Sequence, residues 1–230
     1  MSKTVAIVPA AGAGVRMGGN RAKQYLHLEN RPILAVTLES LQKCVMLDAI
    51  VLVVPAKDVN YCQKEIVEKF GIFKVANVVP GGKLRQDSVR MGLESLNGRY
   101  DLVLIHDGVR PMVEPDLVEA VIRTALKHGA AISALPAKET VKEVNNRHEV
   151  TATYDRDKVW MVQTPQAFYY KDILKAHREA LKNGLTEATD DALLIEKMGI
   201  PVRVVQGSER NIKVTTPHDL ALARYLLRLK

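Results

Sequence analysis

The chain has 230 residues, 47% of them hydrophobic, a formal net charge of +7 at pH 7 and two cysteines. That length and apolar content suit one large domain with its own core, and no run reaches the roughly 18 apolar residues of a membrane span. Nucleic acid is one reading of the positive charge, but the cations are spread along the chain and aromatics are only 5%, too few for a base-stacking ladder. An acidic small molecule accounts for the charge more economically. Cys44 and Cys62 have neither paired spacing nor a nearby histidine cluster, so a zinc site or disulfide framework is not indicated and both read as small core residues.

Ser2-Lys3 leads directly into an apolar strand over 4–9 without a signal-peptide pattern. The expected location is cytoplasmic, or plastid if an upstream transit peptide has been removed. The strand runs into Pro9-Ala10-Ala11-Gly12-Ala13-Gly14-Val15-Arg16-Met17-Gly18-Gly19, with Arg21, Lys23 and Gln24 close behind. A buried strand entering a glycine-rich turn brings backbone N–H groups close to an anion, and Arg16 and Lys23 add full charge where a polyphosphate would lie. The pattern suggests a nucleoside triphosphate. A dinucleotide fingerprint needs G-x-G-x-x-G, whereas Gly12, Gly14 and Gly18 read G-x-G-x-x-x-G, and the strand at 49–54 ends in Pro55 without an acid for a ribose. A P-loop fails as well, because Asn20 and Arg21 follow Gly19 where Lys and Ser or Thr are required. The plain alternative is a tight turn whose glycines serve packing.

Beyond the loop, apolar runs alternate with amphipathic helical patterns, the signature of βαβ units in a mainly parallel sheet. Strands are predicted over 49–54, 75–79, 101–106, 130–135 and 202–206, and helices over 32–45, 58–70, 84–96, 114–128, 171–183, 189–198 and 217–229. Gly71, Gly129, Gly184 and Gly199 stand where helices should stop, and Thr216-Pro217 with Asp219 marks the start of the last one. From Glu139 to Tyr154 two short β-prone runs flank the polar Asn145-Asn146-Arg147-His148-Glu149, which predicts a protruding hairpin. A lone hairpin is marginal in water, so a partner should cover it, and the same hairpin of a second subunit is the simplest one. A hairpin folded back on its own sheet is the alternative.

The loop is followed by further motifs in fixed order: Gly81-Gly82, Arg85 and Ser88; His106-Asp107-Gly108-Val109-Arg110-Pro111; Thr140-Val141-Lys142; Asp155-Arg156; Gln163-Thr164-Pro165-Gln166; Thr189-Asp190; and Asn211-Ile212-Lys213-Val214-Thr215. Together they resemble the nucleotidyltransferases of glycosyltransferase-A-like fold, and within them the family of cytidylyltransferases that join CTP to 2-C-methyl-D-erythritol 4-phosphate in the non-mevalonate isoprenoid pathway. Gly108-Val109 departs from the Ala residues many relatives carry. The resemblance implies an α/β fold, a Rossmann-like three-layer sandwich with a mainly parallel, mixed central sheet. It also implies a single nucleotidyltransferase domain over 1–230, a β-arm inserted at about 137–157, and a homodimer of interlocking arms.

Transfer of a nucleotidyl group to a phosphate monoester needs no protein nucleophile, because the acceptor phosphate is already an anion. The protein must position the reactants and stabilise charge on the α-phosphate and the leaving pyrophosphate. Arg16 and Lys23 are the expected catalytic residues, on spacing and by resemblance. The resemblance places CTP against Ala10, Ala11, Gly12, Ala13, Gly14, Gly82, Arg85, Ser88, Asp107 and Gly108, and the acceptor against Arg110, Thr140, Arg156, Thr164 and Lys213. Arg156 would reach the neighbouring subunit's site. Mg²⁺ is expected with the triphosphate, Asp107 being the candidate protein ligand. Thr189 and Asp190 read as helix caps. A related enzyme using ribitol or glycerol phosphate, or another nucleotide, and a non-catalytic nucleotide-binding protein are the competing readings.

Overall fold

A computed structural model of the chain describes residues 2–12 and 22–229. Strand β1 (Thr4–Pro9) is followed by the two-residue strands β2 (His27–Leu28) and β3 (Arg31–Pro32), helix α1 (Ile33–Gln42) and β4 (Ala49–Val54). Helix α2 (Val59–Tyr61) continues in wider turns through Cys62–Glu68, before β5 (Val75–Pro80), α3 (Arg85–Glu94), β6 (Leu102–Ile105), α4 (Pro115–His128) and β7 (Ala130–Pro136). Then come β8 (Lys142–Val144), β9 (Val150–Thr153), β10 (Trp160–Tyr169), α5 (Tyr170–Lys182), α6 (Ala192–Glu196), β11 (Arg203–Gln206) and α7 (Pro217–Arg228).

One seven-stranded sheet runs in the order β11-β7-β10-β6-β1-β4-β5. Its neighbours are parallel except around β10, which is antiparallel to both β6 and β7. β1 explains why the sheet is covered on both faces: Val5 and Ile7 enter one core with α3, α5 and α6, while Ala6 and Val8 enter another with α1, α4 and the 59–68 segment. A strand buried on both faces reads as a continuous apolar run rather than an alternation. Helices on both sides of a mixed sheet make the three-layer α/β sandwich. A third, smaller cluster seats α7 over β2 and the start of α1, and α7 opens where expected, with a capping box between Thr216 and Asp219.

Helix α3 sits close on the sheet because residue 92 has no side chain. A Cβ on Gly92 would lie 2.9 Å from Ile7 Cγ2 and 3.0 Å from Val53 Cγ2, inside contact distance. That approach aims the first turn of α3, with Arg85 and Ser88, at the carboxyl ends of β1 and β6. β8 and β9 form the predicted hairpin, paired among the described residues only with each other and exposed along nearly their whole length.

β10 is the strand of the main sheet absent from the sequence reading. Pro165 and the polar Gln163, Thr164 and Gln166 interrupt its apolar pattern, and proline is a poor member of an interior strand. The chain accommodates them in an irregularity between Val162 and Gln166, where the pairing with β7 shifts register. α6 is shorter than the predicted 189–198, and Cys44 lies in the turn after α1, buried as expected.

The second half of β10 is anchored by Phe168, among the largest fully buried side chains. Phe168→Ala should lower unfolding free energy by about 3–5 kcal/mol in urea titration, the range for removing a buried aromatic ring. Phe73→Ala, at a residue 78% exposed, should stay within about 0.5 kcal/mol of the parent chain.

Candidate active site

Parallel strands end on one edge of the sheet, and there the chain leaves the ladder by short steps: Ala10 N–H donates to Val53 O, His106 N–H to Ile7 O and Gly81 N–H to Val54 O. Open α/β sheets bind ligands beyond such carboxyl ends. Because β10 runs the other way, it brings its early residues Gln163 and Thr164 to the same edge. Thr164 Oγ1 accepts the backbone N–H of Asp107 at 3.0 Å and lies 3.2 Å from His106 Nδ1, while His106 Nε2 meets the Arg110 carbonyl at 3.3 Å.

Asp107, 6% exposed, is the centre of the site. Arg85 Nε donates to its Oδ1 at 3.1 Å, and Lys213 Nζ stands 3.0 Å and Arg110 Nε 3.5 Å from Oδ2. Burial alone would raise the pKa of this carboxyl, but Arg85, Lys213 and Arg110 outweigh it and hold the group well below the usual carboxylate range. Arg110 is buried, donates from Nη1 to the Asn211 carbonyl at 2.7 Å, and leaves its Nε–H without a hydrogen-bond partner among the described residues. An anionic oxygen would suit that donor.

Two cavities adjoin this cluster. One, of about 290 Å³, is lined by Pro9–Gly12, Lys23, Gln24, Gly82, Lys83 and Ser88 among others. The other, of about 340 Å³, is lined by Arg110, Gln163, Thr164, Gln166, Thr189 and Asp190 among others. Arg85, Asp107 and Lys213 belong to both, so they form a shared wall. The first cavity is shaped by close packing: a Cβ on Gly82 would strike Asp87 Cβ at 2.4 Å, and one on Gly81 would strike Ala11 Cβ at 2.7 Å. Gln24 Nε2 donates to the Ala10 carbonyl at 2.8 Å and ties the Lys23–Tyr25 turn to the end of β1.

Most expected site residues meet here. Ala10, Ala11, Gly12, Lys23, Gly82, Arg85, Ser88 and Asp107 line the first cavity, and Arg110, Thr164 and Lys213 line the second. Ala13, Gly14 and Arg16 lie outside the described residues. Gly108 lines neither cavity; its α-carbon faces Ala10, Leu34 and Val8, where a Cβ would find contacts of 3.1–3.3 Å. Thr140 and Arg156 are exposed at the arm and line neither cavity, Arg156 donating to the Lys138 carbonyl. Asp190 stands one residue before Asp191, the N-cap of α6; its side chain accepts from Leu193 N–H in the first turn and also from Gln166 Nε2 at 2.9 Å. The sequence reading missed the neighbouring Asp191, which takes Arg85 Nη1 at 2.7 Å. Its only signal was a second acid beside the cap.

Among the described residues no group of three or more His, Cys, Asp or Glu side chains is arranged to hold a metal. Among the described residues, Asp107 is the one acid lining the first cavity. That set fits an ion carried chiefly by phosphate oxygens and water, as Mg²⁺ prefers, rather than one in a protein cage.

A mixed α/β sheet with a glycine-bearing loop and a cationic, two-chambered cleft at its carboxyl edge defines a protein of the nucleotide-handling α/β class. A family model described as IspD, 2-C-methyl-D-erythritol 4-phosphate cytidylyltransferase, matches residues 4–229. The 2-C-methyl-D-erythritol 4-phosphate cytidylyltransferase of Desulforamulus reducens is 49% identical over 229 residues, 99% of this chain and 97% of that protein. The crystal structure of 4-diphosphocytidyl-2C-methyl-D-erythritol synthase from Anaerococcus prevotii superposes with a TM-score of 0.87 at 34% identity, covering 99% of this chain and 96% of that one. The corresponding Thermus thermophilus structure gives 0.78 at 31% identity, covering 99% and 100%. The chain belongs to the 2-C-methyl-D-erythritol 4-phosphate cytidylyltransferase family.

His106 gives the site a pH signature. Burial pushes its pKa down from about 6.5 to about 4, against the pull of Asp107 and of the Arg110 carbonyl. Above pH 6.5 the imidazole is neutral in both folded and unfolded chains. Between 6.5 and 4 only the unfolded chain takes the proton, so stability falls with pH, by about 3 kcal/mol across the window. Urea titrations from pH 7 to 4 should show that decline flattened in His106→Gln.

Proposed function

We propose that this protein transfers CMP from CTP to 2-C-methyl-D-erythritol 4-phosphate, giving 4-diphosphocytidyl-2-C-methyl-D-erythritol and pyrophosphate. The observation that carries the reading is the pair of cavities joined at Arg85, Asp107 and Lys213. CTP occupies the cavity of Ala10–Gly12, Gly82 and Ser88, and the acceptor occupies that of Arg110 and Thr164. Their phosphates meet at the shared wall. An acceptor phosphate oxygen attacks the α-phosphorus in line, the bond to the β-phosphate oxygen breaks, and pyrophosphate leaves with that electron pair. The residues supply position and positive charge, and no covalent intermediate with the protein is needed.

Within this reading Lys23 and Arg16 stabilise the charge that builds on the α-phosphate and leaving group. Lys213 and Arg110 hold the acceptor phosphate while one oxygen stays free to attack. Bound Mg²⁺ would neutralise the triphosphate, with Asp107 as the protein carboxylate within reach. Gly108 acts through packing beneath Asp107 rather than by contact. A CTP-dependent reaction favours a cytoplasmic location.

The functional unit in this proposal is a homodimer. Val144, Val150 and Tyr154 on the arm and Met161 and Val162 beside its base are all exposed apolar side chains, which favours cover by a second copy. Thr140 and Arg156 then complete the acceptor cavity of the neighbouring subunit. Mixing Arg156→Ala subunits with Lys23→Ala subunits should restore turnover that neither variant has alone, because one hybrid site holds both intact residues. Exchange of subunits without recovery would separate Arg156 from the neighbour's site.

Acceptor identity is tested by pyrophosphate release from CTP with Mg²⁺ over a panel of phosphates. A site that hydrogen-bonds each hydroxyl rejects an analogue lacking one by up to roughly 10⁴-fold, since its polar groups are left unpaired. 2-C-methyl-D-erythritol 4-phosphate should therefore far exceed glycerol 3-phosphate, which has one hydroxyl fewer, and should also exceed the longer ribitol 5-phosphate and the bulkier hexose 1-phosphates in kcat/KM. Equal or higher values with ribitol 5-phosphate would change the acceptor and leave the cytidylyl transfer standing.

A further inference from the structure

Behind the shared wall a buried relay runs away from both cavities. Arg85 Nη1 donates to Asp191 Oδ2 at 2.7 Å, and His177 Nε2 lies 3.1 Å from Asp191 Oδ1. Asp191 and His177 are each 1% exposed. His177 comes from the buried face of α5, beside Ile173, Ala176 and Ala180, and lines neither cavity. Asp191 is held charged: the Arg85 guanidinium outweighs burial and keeps its pKa below the ordinary carboxylate value. A charged carboxylate offers only acceptors, so Nε2 carries the proton in this contact.

We propose that His177 is a positioning residue for the transfer, pinning the Asp191 carboxylate so that Asp191 and Asp107 clamp the Arg85 guanidinium at the wall between the cavities. The geometry supports this in two ways. Arg85 is held at Nε by Asp107 and at Nη1 by Asp191, which fixes the plane of its fork as well as its location. A carboxylate bonded through one oxygen alone turns about its own axis; His177 occupies the other oxygen and removes that freedom. His177 Nδ1 has no partner among the described residues. An apolar side chain would fill the same space without an unpaired ring nitrogen, so packing alone does not account for an imidazole there.

The inference rests on the shared wall being the site of transfer. His177→Gln places an amide Nε2 within the same reach, whereas His177→Leu fills the space without a donor. In pyrophosphate-release kinetics the Leu variant should lose roughly ten- to a hundredfold in kcat, the scale of a small misplacement at a reacting centre. In this proposal Arg85, on the wall shared by both cavities, serves the transferring phosphate more than nucleotide affinity, so KM for CTP should change less than kcat, and the Gln variant should recover most of the loss. The Arg85 Nε–H resonance in heteronuclear NMR should be protected from exchange in the parent and the Gln variant and exposed in the Leu variant.

Turnover of the Leu variant within about twofold of the parent, or equal losses in Leu and Gln variants that both melt cooperatively, would overturn the proposal. If the Leu variant does not fold, Asp191→Asn, which keeps the volume, should show the same loss in kcat and the same exposure of Arg85, and normal values there would overturn it. A parent chain without turnover would instead refute the functional reading. The NMR comparison still decides whether His177 positions Arg85.

Discussion

A carboxylate taken out of water costs several kcal/mol unless opposite charge surrounds it. Asp107 meets that condition with Arg85, Lys213 and Arg110, and the site is organised around the arrangement. The cluster holds three cations against Asp107 and, behind Arg85, Asp191. It remains short of negative charge, and a phosphate is the natural complement. The same ion pairs that make the buried carboxylate tolerable thus leave a preorganised positive field facing two cavities, where electrostatic stabilisation of a transferring phosphoryl group is most effective.

Sheet topology decides which side chains join that field. β1, β4, β5 and β6 are parallel, so their carboxyl ends and the turns that follow collect on one edge. Asp107 follows β6 directly, and the close seating of α3 over Gly92 carries Arg85 to meet it. The antiparallel β10 supplies Thr164 from the opposite chain direction, and the Thr164 hydroxyl links the Asp107 backbone to the buried His106. Asn211 donates to the Thr164 carbonyl at 2.8 Å and offers its own carbonyl to Arg110, so the segment bearing Lys213 is tied to β10 and to the turn after β6 at once. Four distant stretches of chain therefore share one hydrogen-bonded frame.

The arm contrasts with this frame. Its two strands pair only with each other, and Val144 and Val150 stand 54% and 59% exposed. In one chain Arg156 spends its guanidinium on the Lys138 carbonyl at the base of the arm. A second subunit would give these side chains both cover and a target, which is why the acceptor cavity and the quaternary structure belong to one proposal.

The sequence by itself determined the layered α/β class, because helical and strand periods alternate along it and each reflects a local backbone geometry. Local pattern marked Lys23 behind the glycine-rich loop and Asp107 at a strand end, while Arg85, Arg110 and Lys213 were marked by the resemblance of their motifs. The glycine pair at 81–82 was legible as a turn, though only the structure shows that Asp87 and Ala11 leave no room for a side chain. β10 was hidden because Pro165 and three polar residues break its pattern, and only pairing with β6 and β7 makes a strand of it. The links from His177 to Asp191 to Arg85 span 14 and 106 residues. No local rule reports such contacts, because they arise when packing folds α5, α6 and α3 against one face of the sheet. Tertiary structure alone decided them.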